Sequence, residues 1–89
     1  MGRYNQTIQA ADLDGGNWEL PIPVESFELG MTLFGDAGGG TFTLEDSDGD
    51  VLETLTPPYQ GGKMPVDTIV YARLTGATNP DLRFKAVTF

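Results

Sequence analysis

Apolar residues recur at every second position along most of this chain, the period of a strand with one buried face. From Ser26 to Phe34, Phe27, Leu29, Met31 and Leu33 fall on one side and Ser26, Glu28, Gly30 and Thr32 on the other, which predicts a central strand against a core. Thr41 to Glu45 puts Phe42 and Leu44 inside, and Val51 to Thr56 returns, ended by Pro57 and Pro58. The Asp, Ser and Gly block between them predicts a β-hairpin with a polar tip and Gly49 at positive φ. Tyr4 to Ala10 alternates among Gln and Asn residues, the pattern of an edge strand or an N-terminal arm. Trp18, Leu20 and Ile22 share a side, while Pro21 and Pro23 remove two ladder donors, so this segment belongs at a sheet edge with Trp18 as a core anchor.

Two further strands follow. Thr68 to Thr75 sets Val70, Ala72 and Leu74 against Ile69, Tyr71 and Arg73, and Leu82 to Phe89 sets Leu82, Phe84 and Ala86 against Arg83, Lys85 and Val87. With Gly76 to Asp81 as a turn they read as a second hairpin, whose outer face carries Ile69, Tyr71, Arg73, Arg83, Lys85, Val87 and Phe89. Asp12 to Asn17 and Gly35 to Gly40 read as loops, and so does Tyr59 to Pro65, with Tyr59 and Met64 as exposed contact residues. No helical period is present. About seven short strands separated by Gly, Pro, Asn and Asp predict an all-β chain: a single small antiparallel β-sandwich over residues 1–89, immunoglobulin-like in topology, with a small barrel as second choice.

Composition narrows what such a fold can do. At 89 residues there is room for one thin core, and neither Cys nor His is present, so disulfides, thiolate metal sites and the commonest general base are all lacking. The net charge is −8, which argues against nucleic acid as a partner. The charge is uneven: residues 1–60 hold eleven acids and only Arg3, whereas residues 61–89 hold Lys63, Arg73, Arg83 and Lys85 against Asp67 and Asp81. No apolar run approaches the 18 or so residues of a membrane span, and Met1 to Gln6 lacks a signal h-region, so synthesis in the cytoplasm is expected.

Candidate chemistry is sparse. Asp46, Asp48 and Asp50 alternate like the start of a calcium loop, yet Val51 stands where Gly is needed and Pro57 where the bidentate Glu belongs. They read as a hydrated turn, with calcium as the alternative, and Asp46 and Asp48 are expected to matter little for stability. The glycines at 35–40 precede a strand rather than a helix, so they form no phosphate loop. Ser26 and Ser47 have no activating partner. The expectation is a non-enzymatic chain without cofactor or metal.

From Gly35 onward the order of parts resembles small structural proteins of tailed bacteriophages: a Gly-rich turn, Gly-Gly-Thr-Phe-Thr-Leu, an acidic hairpin tip, Val-Leu-Glu-Thr-Leu, and then Tyr71-Ala72-Arg73-Leu74-Thr75-Gly76-Ala77-Thr78 before a last strand. Such families include capsid decoration, or cement, proteins. The resemblance implies a virion component on the capsid surface, made in the host cytoplasm, that binds the major capsid protein and forms a trimer or dimer. The partner interface expected from the residues is one patch of Ile69, Tyr71, Arg73, Arg83 and Lys85, with Arg3 and Tyr4 as a docking arm. The alternative is a carbohydrate- or receptor-binding module of a tail or head fibre, using Trp18, Tyr59 and acidic loops.

Overall fold

Alternation of apolar and polar residues yields eight strands in the computed structural model, which describes residues 3–23, 28–65 and 69–88. They are β1 (Arg3–Gln9), β2 (Trp18–Pro23), β3 (Glu28–Asp36), β4 (Thr41–Asp46), β5 (Val51–Leu55), β6 (Tyr59–Pro65), β7 (Ile69–Thr75) and β8 (Asp81–Thr88), with a single 3-10 turn at Ala10–Asp12. Two antiparallel four-stranded sheets result, ordered β1-β8-β3-β6 and β2-β7-β4-β5. The expected small all-β sandwich is present.

Its winding differs from the immunoglobulin arrangement. The chain pairs β4 with β5, β3 with β6, β2 with β7 and β1 with β8. It is therefore one long antiparallel ribbon, folded at residues 47–50 and wrapped around the core, and closed by the β3–β8 and β4–β7 ladders. This is the jelly-roll winding. Among the described strands, β4 and β5 alone are both consecutive in the chain and neighbours in one sheet.

Two sequence-based expectations change as a result. Tyr59–Pro65 is a strand, not a loop: its glycines and Lys63 conceal an extended segment paired with β3 from Leu33 to Glu28. The β7–β8 pair is not a hairpin, because β7 and β8 lie in different sheets. Gly76 to Pro80 carries the chain over the end of the sandwich, with Ala77 and Pro80 buried, and a bare hairpin turn would leave both in water. Phe27, Thr68 and Phe89, and the side chain of Met64, lie outside the described residues.

The core lies between the sheets. Ile8, Leu29, Met31, Leu33, Leu82, Phe84 and Ala86 from one sheet meet Ile22, Phe42, Leu44, Leu55, Val70, Ala72 and Leu74 from the other. Three rings bolt the layers together. Phe42 and Phe84, from opposite sheets, lie 5.3 Å apart between centroids, and Trp18 stacks on Phe42 at 6.0 Å and meets Phe84 edge-on at 6.3 Å. Trp18 is the core anchor its lone apolar neighbourhood predicts, although it is only half-buried.

The end of the sandwich that holds the 10–17, 37–40 and 76–80 connections is stitched by backbone bonds. The Ala77 N–H donates to Gly16 O (3.0 Å) and the Thr78 N–H to Gly38 O (2.9 Å). The Gly76 N–H donates to Asn17 Oδ1 (3.2 Å), and Gly38 N–H to Asp36 Oδ1 (2.8 Å). The glycine run at 35–40 serves this seam. A Cβ on Gly35 would strike the Asp81 carbonyl, and one on Gly38 the Thr78 carbonyl, so close backbone approach explains both residues.

Candidate functional site

Each sheet has one face on the core and one outside, and strand register decides which side chains share an outer face. On the β1-β8-β3-β6 sheet the pairs Thr7↔Arg83↔Phe34, Asn5↔Lys85↔Thr32 and Arg3↔Val87↔Gly30 run side by side. Arg3, Lys85 and Arg83 are exposed there, and among the described residues none of the three is held in an ion pair. Phe34, 45% exposed, lies directly across the ladder from Arg83. An acidic rim borders this patch: Asp36 and Asp81 face each other in the last β3–β8 pair, at the stitched end.

The β2-β7-β4-β5 sheet presents a different surface. Arg73 lies between two carboxylates, with Nη2 3.4 Å from Glu19 Oε2 and Nε 3.5 Å from Glu45 Oε1. Its guanidinium carbon is 5.2 Å from the Tyr71 ring centroid, and the Thr43 hydroxyl donates to Glu45 Oε2 at 3.0 Å. Arg73 is thereby neutralised within its own face. Around it, Pro21, Pro23, Ile69, Val51 and Leu52 are exposed.

The interface expected from sequence is therefore divided. Ile69, Tyr71 and Arg73 stand on one outer face of the sandwich, and Arg83 and Lys85 on the other. The reason is the crossover at 76–80, which a hairpin reading cannot distinguish from a turn, since both leave the alternation intact. Arg3 does join Arg83 and Lys85 on one face, through the β1–β8 ladder. Tyr4 does not: it packs inward against the core, and Arg3–Gln9 is an edge strand paired along its whole length rather than a free arm. Phe34 joins Arg3, Arg83 and Lys85 on their face, where the alternation that buries Leu29, Met31 and Leu33 puts it.

The acidic tip is built as a turn. The Asp48 and Asp50 N–H groups both donate to Asp46 Oδ1 at 2.9 Å, the Asp50 carbonyl accepts from the Asp46 N–H at 2.9 Å, and Gly49 takes φ 88°. Asp46 is thus a structural cap, contrary to the expectation that it matters little. Among the described residues no group of three or more Asp and Glu is placed to hold a metal ion. Tyr59 packs against the core from β6 while Trp18 does so from β2, so the two aromatics of the carbohydrate alternative do not form one platform.

A shallow depression of about 320 Å³ opens beside the stitched end, where Asp14, Asn17, Trp18 and Glu19 meet Arg73 and Leu74. No family model, curated protein or solved structure matches this chain.

Proposed function

We propose that this chain is a non-enzymatic docking module that attaches to an acidic protein surface through the outer face of the β1-β8-β3-β6 sheet. The observation that carries the reading is the alignment of Arg3, Lys85 and Arg83, three of the five basic residues of a chain with net charge −8, on one face without ion-pair partners among the described residues. Cations unpaired among the described residues, beside an exposed aromatic ring, are the composition of a contact patch: the charges steer and orient, and Phe34 supplies apolar area next to Arg83. The acidic remainder of the surface repels an acidic partner everywhere else, so the same charge asymmetry fixes the orientation of docking.

The sequence resemblance from Gly35 onward supports a particular setting for this chemistry, a tailed-phage capsid that the module decorates by binding the major capsid protein, as a dimer or trimer on the virion surface. A decoration protein stabilises a shell by bridging neighbouring subunits, since anything bound only to the assembled lattice raises the work of pulling it apart.

The test is co-sedimentation with capsids of the double variant Arg83→Glu/Lys85→Glu. Loss of capsid binding with an unchanged melting temperature is expected, as is weakening of wild-type binding by added salt. Unchanged binding by the variant would remove the face from consideration, and a matching loss on Ile69→Asp would move the contact to the opposite sheet.

A further inference from the structure

The depression beside the stitched end has the chemistry of a small saccharide site, and we infer that it binds a single neutral hexopyranose ring. The inference stands apart from the docking face, which lies on the other sheet. The volume of about 320 Å³ is at the lower end of the roughly 300–1,000 Å³ typical of small-molecule sites and suits one ring rather than an extended chain.

The lining supplies both things a sugar requires. Trp18, half-buried at the start of β2, provides apolar surface for the C–H face of a pyranose. Trp18 is rigid in this role, because its ring is already stacked on Phe42 and set edge-on to Phe84. Around that floor stand hydrogen-bonding groups that the fold leaves unused. Asn17 is locked by a two-way backbone exchange with Asp14, Asp14 N–H to Asn17 O at 2.8 Å and Asn17 N–H to Asp14 O at 3.1 Å. Its Oδ1 accepts from the Gly76 N–H, which leaves the Nδ2 hydrogens as donors without a partner among the described residues. The Asp14 carboxylate likewise makes no hydrogen bond among the described residues.

A fixed amide donor, a free carboxylate acceptor and a guanidinium held by Glu19 match the mixed donor and acceptor character of vicinal hydroxyls. Two carboxylates against one guanidinium disfavour an acidic sugar. Pre-organisation matters here as much as composition: the site is set by backbone bonds between three connections, so little ordering accompanies binding.

The experiment titrates the full chain with glucose, galactose, N-acetylglucosamine and their disaccharides, with glucuronic acid as the anionic control. It follows Trp18 emission together with the Asn17 side-chain and Gly76 backbone amide resonances. Saturable shifts with at least one neutral sugar at millimolar affinity are expected, with little gain from a second ring and no response to the acid. Asn17→Asp keeps the acceptor for Gly76 N–H while removing the Nδ2 donors, and Asp14→Asn removes the carboxylate charge. Each should weaken binding at least fivefold, whereas Arg83→Glu on the other sheet should leave it unchanged. No saturable response to any neutral sugar up to tens of millimolar overturns the inference, and so does binding that survives both Asn17→Asp and Asp14→Asn in folded protein.

Discussion

Asp46 Oδ1 accepts two backbone N–H groups at once, so the first aspartate of the acidic tip is a strut and the next two are its cargo. Replacing it with Ala should lower stability by about 1 kcal/mol, the usual effect of removing a side-chain cap from backbone donors. Asp48→Ala should stay within about 0.5 kcal/mol, as exposed positions do. Urea titration of both variants separates the two, and calcium should leave the wild-type melting temperature unmoved. Gly35 makes a second contrast. At φ 113°, with the Asp81 carbonyl where a Cβ would sit, Gly35→Ala combines backbone strain with a collision and should cost more than about 2 kcal/mol. Gly39 has φ 77° and open space, so Gly39→Ala should cost about 1 kcal/mol. Thermal denaturation of the pair isolates the collision. Which residues point inward was readable throughout: Leu29, Met31, Leu33, Phe42, Leu44, Val70, Ala72, Leu74, Leu82 and Phe84 all face the core as their spacing requires. The tip was not fully readable, because Asp46, Asp48 and Asp50 look alike in sequence and differ only in what their oxygens meet.

Strands were legible and their partners were not. Alternation reports a face and says nothing of the neighbour, so Gly76 to Asp81 could close a hairpin or cross between layers with the same residues on either side. The distinguishing feature is tertiary: Ala77 is buried under Gly40, and the Ala77 N–H reaches Gly16, sixty-one residues away in the chain. The candidate face suffered the same ambiguity, with Arg83 and Lys85 correctly outward and wrongly grouped with Tyr71 and Arg73. Tyr59 to Pro65 does not look like a strand for another reason, since two glycines and a proline suppress β propensity and the β3 ladder holds the segment extended. The seam itself yields a measurement. Hydrogen exchange should find the Ala77, Thr78 and Gly40 amides protected to nearly the level of the core strands, although all three belong to connections. The exposed Asp48 and Gly49 amides of the tip should exchange well before them.

At the scale of the whole molecule, the two outer faces differ: one carries Arg3, Lys85 and Arg83, unpaired among the described residues, with Phe34 beside Arg83, and the other an internally balanced Arg73 with the depression of about 320 Å³ at its end. The core between them is thin, so the Trp18, Phe42 and Phe84 cluster couples both faces to one cooperative unit. The ribbon winding has a further outcome. Every ladder in the described residues joins a strand from β1–β4 to a strand from β5–β8: β1–β8, β2–β7, β3–β6, β3–β8, β4–β5 and β4–β7. Neither half contains two strands that touch as neighbours. Cleaved between Ser47 and Asp48, the fragments 1–47 and 48–89 should each be unstructured alone by circular dichroism and should assemble on mixing at equal concentration. The chain would then behave as a two-component switch, dark when its parts are apart and folded only when something brings them together.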